Sequence, residues 1–419
     1  MLKWHSPAKT PRWLRRSTSS RMASSSNTGT LRLSGDQIVG MAGALLGALV
    51  TAVGTYLELR PNRILGGDSV TAIAAFGPGA WALLGLWALM FAACLPGTGR
   101  TGAMVRGLVA NTTMVVSVLL VARRATAFVA QSGDVARASL GISFWLSLGA
   151  AYIVIFSALP RAKSRNARAL VSLPGIVMIA GLLFTGQLNS LSILVEYAVN
   201  ADSFNKALVQ QLSYTLGATG IALVIGLLAG VGAAKNPRLE GPVFATLNIA
   251  QVLPSLSFIG LLIVPMGWLG LNFPALKALG VSGIGWAPVF VVLLSYALYP
   301  ITRNVYTSLK TLDESITDAA RGMGMKPIQR LFTVELPLAF PVIIAGVRIA
   351  AVQTTAAAIL AALVGGGGLG QIVFFGVQQT ATDLILLGVI PIVALSLTID
   401  ASLRFVETLV RTAQEGGLT

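Results

Sequence analysis

Histidine and cysteine are almost absent from this chain of 419 residues. His5 and Cys94 are the single representatives of their types, so one chain cannot form a disulfide. Zinc hydrolysis, haem ligation by histidine and Ser-His-Asp catalysis all lack their side chains. No Gly-Lys dipeptide occurs, so the phosphate-binding loop that carries a lysine is missing too. These absences indicate a chain that is not an enzyme and that binds no metal or cofactor of its own.

Charge is also scarce. Charged residues make up 11% of the sequence, hydrophobic residues make up 55%, and the mean hydropathy is +0.78. Such a composition excludes an ordinary soluble domain. Uncharged stretches of the roughly 20 residues that a helix needs to cross a bilayer recur along the whole chain. We therefore predict an all-α polytopic membrane protein with about ten transmembrane helices. The predicted spans are residues 38–57, 71–95, 107–122, 138–160, 169–195, 207–234, 241–276, 278–302, 336–364 and 384–409.

The few charged residues are mostly basic, with 30 Lys and Arg against 15 Asp and Glu. Residues 1–35 hold seven basic residues and no acidic one. Because cytoplasmic loops keep an excess of positive charge, both termini of a ten-span chain are predicted to be cytoplasmic. The basic segments 161–168 and 235–238 agree, whereas a loop holding Arg123 and Arg124 would lie outside. We interpret the net charge of +15 as a belt beside the membrane, and expect no nucleic-acid partner.

The ends of the chain are predicted to be tails. Residues 1–35 are rich in Ser and Arg, and we expect them to be disordered. Met22, which precedes a run of small polar residues, is an alternative to Met1 as the start of translation. Residues 411–419 are predicted to form a short C-terminal tail.

One nearly neutral segment interrupts the apolar chain, and it is predicted to be a docking loop for a soluble partner. Residues 303–335 hold five basic and four acidic residues, unlike a cationic helix that lies on a membrane surface. Thr311 and Glu314 have the spacing of a capping box, which predicts a helix start. Paired alanines further along would let another surface approach closely. A folded loop between membrane helices suits a protein that receives mechanical work, and we expect that partner to be an ATPase.

The same segment contains residues that end and restart helices. Gly322 and Gly324 supply backbone freedom for a helix end, and Pro327 suits the first turn of a second short helix. Leu336-Pro337 is predicted to begin the next span, because proline is tolerated in a helix's first turn. The expected result is a helix, a sharp turn and a second helix.

The spacing of these residues resembles the cytoplasmic signature of the transmembrane subunits of ATP-binding-cassette importers. That signature is Glu-Ala-Ala, three residues, Gly, nine residues, Ile, one residue, Leu-Pro. The corresponding residues are Asp318-Ala319-Ala320, Gly324, Val334 and Leu336-Pro337. Only Asp for Glu and Val for Ile depart from it. The resemblance implies that residues 205–410 form a type I importer transmembrane domain of about five helices, with a coupling loop at 311–335. Residues 36–195 would then be an extension of about five further helices.

The wider context, including Tyr299-Pro300 and Ala345 to Arg348, resembles permeases for osmoprotectants. Those permeases import glycine betaine, choline or carnitine, and some carry an N-terminal extension. Methionine importers have a similar glycine-rich stretch, so an amino acid is the alternative substrate. An ion-coupled secondary transporter is the alternative class, but it would be expected to show inverted repeats and intramembrane carboxylates.

The resemblance also implies the partners. Two ATPase subunits would bind ATP and receive the coupling loop, a second permease subunit would complete the pathway, and an extracytoplasmic binding protein would deliver the substrate. The complex would lie in the cytoplasmic (inner) membrane. The predicted coupling residues are Glu314, Asp318, Ala319, Ala320, Gly322, Gly324, Pro327, Leu336 and Pro337.

Four residues are candidates for the substrate pathway: Tyr296, Tyr299, Arg348 and Gln353. Aromatic rings can bind a quaternary amine through cation–π contacts, although packing is the alternative role for each tyrosine. Arg348 is an intramembrane charge, which is a functional candidate by default. A fixed cation repels a quaternary amine, so we favour a structural partner such as helix-end carbonyls or a facing acid. The stretch Gly365–Gly370 is interpreted as a turn or a close helix contact.

Overall fold

The computed structural model of this protein describes residues 33–62, 66–95, 99–133 and 135–416. The predicted N-terminal tail lies almost wholly outside them. Helices dominate these described ranges, as predicted, and three short strands occur within them. The strands are β1 (Thr55–Arg60), β2 (Asp68–Thr71) and β3 (Arg137–Leu140).

The helices follow one another with short connections. The first eight are α1 (Gly35–Val53), α2 (Ala72–Phe76), α3 (Pro78–Ala92), α4 (Gly99–Ser132), α5 (Ile142–Ala158), α6 (Arg165–Ser172), α7 (Pro174–Phe184) and α8 (Ser192–Val199). The next five are α9 (Ala201–Lys235), α10 (Pro237–Val252), α11 (Ser255–Asn272), α12 (Pro274–Ala278) and α13 (Trp286–Lys310). The last five are α14 (Glu314–Gly322), α15 (Pro327–Arg330), α16 (Leu336–Ala357), α17 (Leu369–Gln378) and α18 (Thr382–Gly416). A 3₁₀ stretch, Ala358–Val364, extends α16.

Eight helical stretches of the described chain are long and apolar enough to cross a membrane, or nine if the bent pair α6–α7 is one span. The eight are α1, α4, α5 with its short extension to Arg161, α9, α11, α13, the stretch Pro327–Val364 and α18. The predicted count was ten. The predicted span 71–95 becomes α2 and the 15-residue α3, because Gly77 adopts φ +53° between them.

Other predicted spans also differ in detail, and the span predicted at 241–276 is divided into α10 and α11 at Pro254. The span predicted at 169–195 is α6 and α7, which bend by 47° at Leu173, and it ends at Phe184. Arg123 and Arg124 were predicted to lie in a loop, but both lie inside the 34-residue α4. Hydropathy ends a span at a charge, whereas arginine has a high helix propensity and continues a helix.

The chain forms two compact units. The first contains the described residues up to Val53, together with Pro78–Ser117 and Leu146–Ile179. Its core includes the buried Trp87, whose indole N–H donates to Thr51 Oγ1 at 3.1 Å. A Cβ atom on Gly47 would lie 2.3 Å from the Trp87 ring, so glycine is required there. The core also holds a fully buried cation, Arg106, 3.5 Å from Asp36 Oδ2.

Asp36 joins two cations of this first unit. Its Oδ2 atom also lies 2.7 Å from Arg161 Nε. Arg161 donates further to Gly99 O, and Arg106 donates to Cys94 Sγ. One carboxylate therefore links the beginnings of α1 and α4 to the end of α5.

The second unit contains Gly54–Gly77, Val118–Trp145 and Ala180 to the C-terminus. Its sheet is antiparallel with strand order β2-β1-β3. Tyr56 on β1 is fully buried, with edge contacts to Phe76 at 5.5 Å and Phe144 at 5.9 Å. Such aromatic contacts stabilise a sheet that is too small to be stable alone.

The helical core of the second unit is built on α9, α13 and α16. Small residues let α9 and α13 approach closely. A Cβ atom on Gly230 would lie 2.6 Å from Val305 Cβ, and one on Gly226 would lie 2.9 Å from Ile301 Cγ2. Glycine at helix contacts is typical of membrane proteins, where close packing replaces the hydrophobic driving force.

Candidate functional site

The coupling segment, residues 311–335, begins with a helix cap at a different residue from the one predicted. Asp313 is the N-cap of α14, and its Oδ1 atom accepts from the Ser315 amide at 2.9 Å. This hydrogen bond lowers the pKa of Asp313 below its ordinary value. Thr311, the predicted cap, instead donates its hydroxyl to Thr307 O and ends α13. The capping-box prediction was wrong because an aspartate one residue before Glu314 caps as well as threonine.

Gly324 terminates α14 in a left-handed backbone conformation that glycine adopts readily. Its φ is +78°, its amide donates to Arg321 O at 2.9 Å, and the Met325 amide donates to Ala320 O at 3.2 Å. This pair of hydrogen bonds is the Schellman motif, with glycine in the left-handed position. Gly322 is the last residue of α14 and keeps a helical backbone.

The second half of the coupling segment joins α16 through an unusual turn. Pro327 occupies the first turn of α15, as predicted from its position. Leu331–Glu335 then forms a π-helical turn that leads directly into α16, with Pro337 in the first turn of α16. A π-helical turn inserts an extra residue into a helix and is frequent at functional sites.

The outer surface of the coupling segment is both apolar and charged. Only Ala320 of α14 is buried, whereas Ala319 is exposed. Asp318 and Arg321 form an exposed ion pair at 3.0 Å. Four large apolar side chains are exposed beside them: Ile316, Met323, Ile328 and Phe332. Exposed apolar side chains clustered among charges are typical of a protein-binding surface.

A fully buried acid lies at the base of this segment. Glu335 is 1% exposed, and both of its carboxylate oxygens are used. Its Oε1 atom accepts from Arg330 Nε at 2.8 Å, and its Oε2 atom accepts from Lys235 Nζ. We call these three residues the Glu335 triad. The sequence analysis did not select Glu335 or Lys235, since a charge at the border of an apolar run is common and its partner 100 residues away left no signal.

Arg348 has structural partners, as expected, and of the two kinds considered they are acids. Its Nε atom lies 3.2 Å from Asp400 Oδ1, and its Nη1 atom lies 2.9 Å from Glu407 Oε2. Asp400 also pairs with Arg404 at 2.7 Å. These contacts join α16 to α18 through four balanced charges.

The other pathway candidates have separate surroundings. Tyr296 is buried, and its hydroxyl donates to Leu253 O at 2.8 Å, at the break between α10 and α11. Gln251 Nε2 donates to the Tyr296 carbonyl at 2.8 Å. Tyr299 and Gln353 are half-buried. The described contacts of Tyr296 therefore stabilise the break between α10 and α11. Its role in a substrate pathway stays a prediction.

A cavity of about 420 Å³ lies beside the glycine-rich stretch, at the end of the second unit where α13 begins. Its lining includes Trp286 and Phe290, whose rings meet edge to face at 5.9 Å. Tyr214 donates its hydroxyl to Gly366 O, and Gln210 Oε1 accepts from the Gly368 amide at 2.9 Å. Among the described residues that line the cavity, none is charged. The two hydrogen bonds make this wall a structured turn, which agrees with the structural interpretation of Gly365–Gly370.

Gly367 shows why this turn needs glycine. Its φ is +77°, and an added Cβ atom would lie 2.2 Å from Gln210 Oε1. Gln210 and Tyr214, like Lys235, were absent from the sequence-based candidates.

Comparisons with known proteins show that two parts of the chain match known families. Residues 222–412 match the family described as "Binding-protein-dependent transport system inner membrane component". Residues 36–194 match the family described as "ABC transporter permease YehY, N-terminal domain".

Three curated relatives illustrate the similarity. The carnitine transport permease protein OpuCB of Listeria monocytogenes is 32% identical over 213 residues, which cover 50% of this chain and 90% of the relative. The choline transport system permease protein OpuBB of Bacillus subtilis is 34% identical, over 45% of this chain and 81% of its own length. The osmoprotectant import permease protein OsmW of Salmonella typhimurium is 32% identical, over 48% and 88%. Among solved structures, an inward-facing form of the MetNI methionine ABC transporter is 24% identical with a TM-score of 0.43, over 50% of this chain and 96% of that one.

Proposed function

This chain belongs to the family of binding-protein-dependent transport system inner membrane components, and from that premise we propose that it imports a quaternary-amine osmoprotectant with energy from ATP. The observation that carries the proposal is the coupling segment. Its Asp318-Ala319-Ala320 helix ends at Gly324 and presents exposed apolar side chains on a folded unit. We infer that an ATPase subunit binds this surface.

The partners follow from that docking. A dimer of ATPase subunits would supply ATP hydrolysis, since this chain is proposed to bind no nucleotide and no cofactor. A second permease subunit, either the same chain or a homologue, would complete the pathway between two five-helix domains at 205–410. A binding protein would deliver the substrate on the opposite face. Residues 36–195 form the proposed extension.

The orientation that we propose places both termini in the cytoplasm. The coupling segment and the end of α9 lie at one end of the second unit, where Lys235 meets Glu335. In the first unit, the exposed cations Lys163, Arg165 and Arg168 follow α5. Both basic ends suit the side of the membrane that retains Lys and Arg. The cavity at Trp286 and Gly366 would then open toward the extracytoplasmic side.

The substrate class rests on the relatives, which are named for carnitine, choline and osmoprotectant transport. The Trp286 ring in the wall of the cavity is exposed, which is compatible with a quaternary amine. Methionine is the alternative substrate that the same experiment can detect.

The deciding experiment is uptake of labelled glycine betaine by cells with and without this chain, after an imposed salt step. We expect ATP-dependent uptake only with the chain, competed by unlabelled choline and not by methionine. If cells without the chain lose methionine uptake but keep betaine uptake, the substrate would be assigned as an amino acid. Uptake that follows an ion gradient and persists without ATP would contradict the importer proposal altogether.

A further inference from the structure

Glu335 occupies a position that is costly for a carboxylate. It is 1% exposed, and it lies at the end of the π-helical turn that joins the coupling segment to α16. A buried charge is tolerated only with close partners, because removal from water costs several kcal/mol per ion. A glutamine, or an apolar residue of similar size, would avoid that cost.

The two partners of Glu335 come from different parts of the fold. Arg330 belongs to α15 of the coupling segment and is 14% exposed. Lys235 is the last residue of α9 and is 44% exposed. The chain itself connects the coupling segment to α13 and to α16 only. The ion pair between Lys235 and Glu335 is thus a contact that ties the coupling segment to a third helix.

Beyond Lys235, α9 contacts both α13 and the glycine-rich turn, so a movement of its end would affect both. α9 packs against α13 through Gly226 and Gly230. At its other end it contacts the glycine-rich turn through Gln210 and Tyr214. A displacement of the Lys235 end would therefore be carried along a 35-residue helix to the wall of the cavity.

We infer that Glu335 is a positioning residue for coupling: through Lys235 it makes α9 move with the coupling segment when the ATPase changes conformation. This inference rests on the proposed ATPase docking. Arg330 holds the second carboxylate oxygen and so fixes the direction in which Glu335 faces Lys235. Without the triad, the ATPase would still move the coupling segment, but α9 would no longer follow it.

The test uses the full importer, with its ATPase and binding protein, reconstituted in liposomes. Lys235→Gln removes one partner at a half-exposed position, so the protein is expected to fold. Glu335→Gln removes the charge and keeps the shape. Arg238→Gln is the matched control, because it removes an exposed cation three residues further along and leaves the triad intact.

The informative quantity is ATP hydrolysed per substrate molecule transported. We expect this ratio to rise about tenfold in Lys235→Gln and Glu335→Gln, the range of a charged hydrogen bond and of typical coupling energies. The double variant is expected to be no worse than the worse single variant, because both remove one interaction. An unchanged ratio, or an equal rise in Arg238→Gln, would overturn the inference. A parallel fall of ATPase activity and uptake would also overturn it, since that outcome indicates structural support alone.

A distance measurement tests the link without transport. Spin labels are attached at Leu228→Cys on α9 and Gln329→Cys on α15, in a Cys94→Ser background. They measure the distance between these two helices. We expect a single distance that persists through ATP binding in the parent, and a second distance in Lys235→Gln. A distance that changes freely in the parent would overturn the inference, even in a complex that fails to import betaine. Failure of the parent to take up betaine would instead count against the proposed function.

Discussion

Asp383, in the first turn of α18, accepts a hydrogen bond from the hydroxyl of Ser139 on β3, 244 residues earlier in the chain. Both side chains are buried. The strand lies within residues 36–195, and Asp383 lies within residues 205–410. A strand of the proposed extension is thus part of the same compact unit as the proposed transport domain.

The hydrogen bond between Ser139 and Asp383 predicts that variants of either residue are less stable. Asp383→Asn and Ser139→Ala are each expected to lower the free energy of unfolding by about 1.5–3 kcal/mol, the range for a hydrogen bond to a charged group. Thermal unfolding in detergent measures it. Asp202→Asn is the matched control, since Asp202 is an exposed acid in the first turn of α9. Equal effects of the two aspartate variants would show that only the helix-end charge matters.

Gly324→Val should separate ATP hydrolysis from transport. Valine disfavours φ +78°, which costs about 1–2 kcal/mol, so the end of α14 would shift and carry its docking surface with it. We expect ATPase activity of the full complex to persist while uptake falls at least tenfold. Gly241→Ala, in α10 with open space around its Cβ position, is the control. Preservation of both activities in Gly324→Val would refute the role of the helix end.

The cap of α14 gives a pH-dependent prediction. The folded pKa of Asp313 lies below its ordinary value of 3.8, so the cap contributes full stability above that value. Its contribution is lost as the pH falls through the lowered folded pKa. The protection of the α14 amides against hydrogen exchange, relative to the intrinsic exchange rate at each pH, is therefore expected to fall in that acidic window. At neutral pH, Asp313→Ala should quicken the same exchange, whereas Thr311→Ala should not, and the opposite order would restore the capping-box prediction.

Arg348 is predicted to act through α18. Arg348→Gln leaves Glu407 without its cation, so we expect the free energy of unfolding to fall by about 1–3 kcal/mol. Glu407→Gln should have the same effect, and the double variant should show little further loss. Substrate KM in the full importer distinguishes the alternative. A large rise in KM with unchanged unfolding, specific to Arg348→Gln, would place Arg348 in the substrate pathway instead.

The sequence predicted the coupling segment well because its chemistry is local. A glycine that must adopt a left-handed backbone and a proline in a first helical turn depend on neighbours within a few residues. The capping box failed by the same logic, since Asp313 and Thr311 compete locally and only their conformations decide between them. The contact of Tyr56 on β1 with Phe144 on α5 depends on segments that are distant in the chain. The alternation Leu57-Glu58-Leu59-Arg60 has the period of a strand, but it is only four residues long and overlaps the end of the apolar stretch predicted as the span 38–57.

Distance along the chain limited the prediction of the site residues in the same way. Lys235 and Glu335 are separated by 100 residues, and Arg348 and Glu407 by 59. Each charge taken alone resembles the border of a span. Pairing Lys235 with Glu335 requires knowing that α9 ends beside the last residue of the π-helical turn, and hydropathy does not contain that information.

The buried Arg106 has a consequence for the biogenesis of the protein. An arginine in an inserting helix costs about 3 kcal/mol at the helix centre, and less toward its ends. Asp36, its partner, lies on α1 and is synthesised about seventy residues earlier, so the acid already lies at the membrane when α4 arrives. Synthesis in this order supplies the counter-charge before the cation needs it, and a circular permutant that begins at α3 would have to insert Arg106 alone.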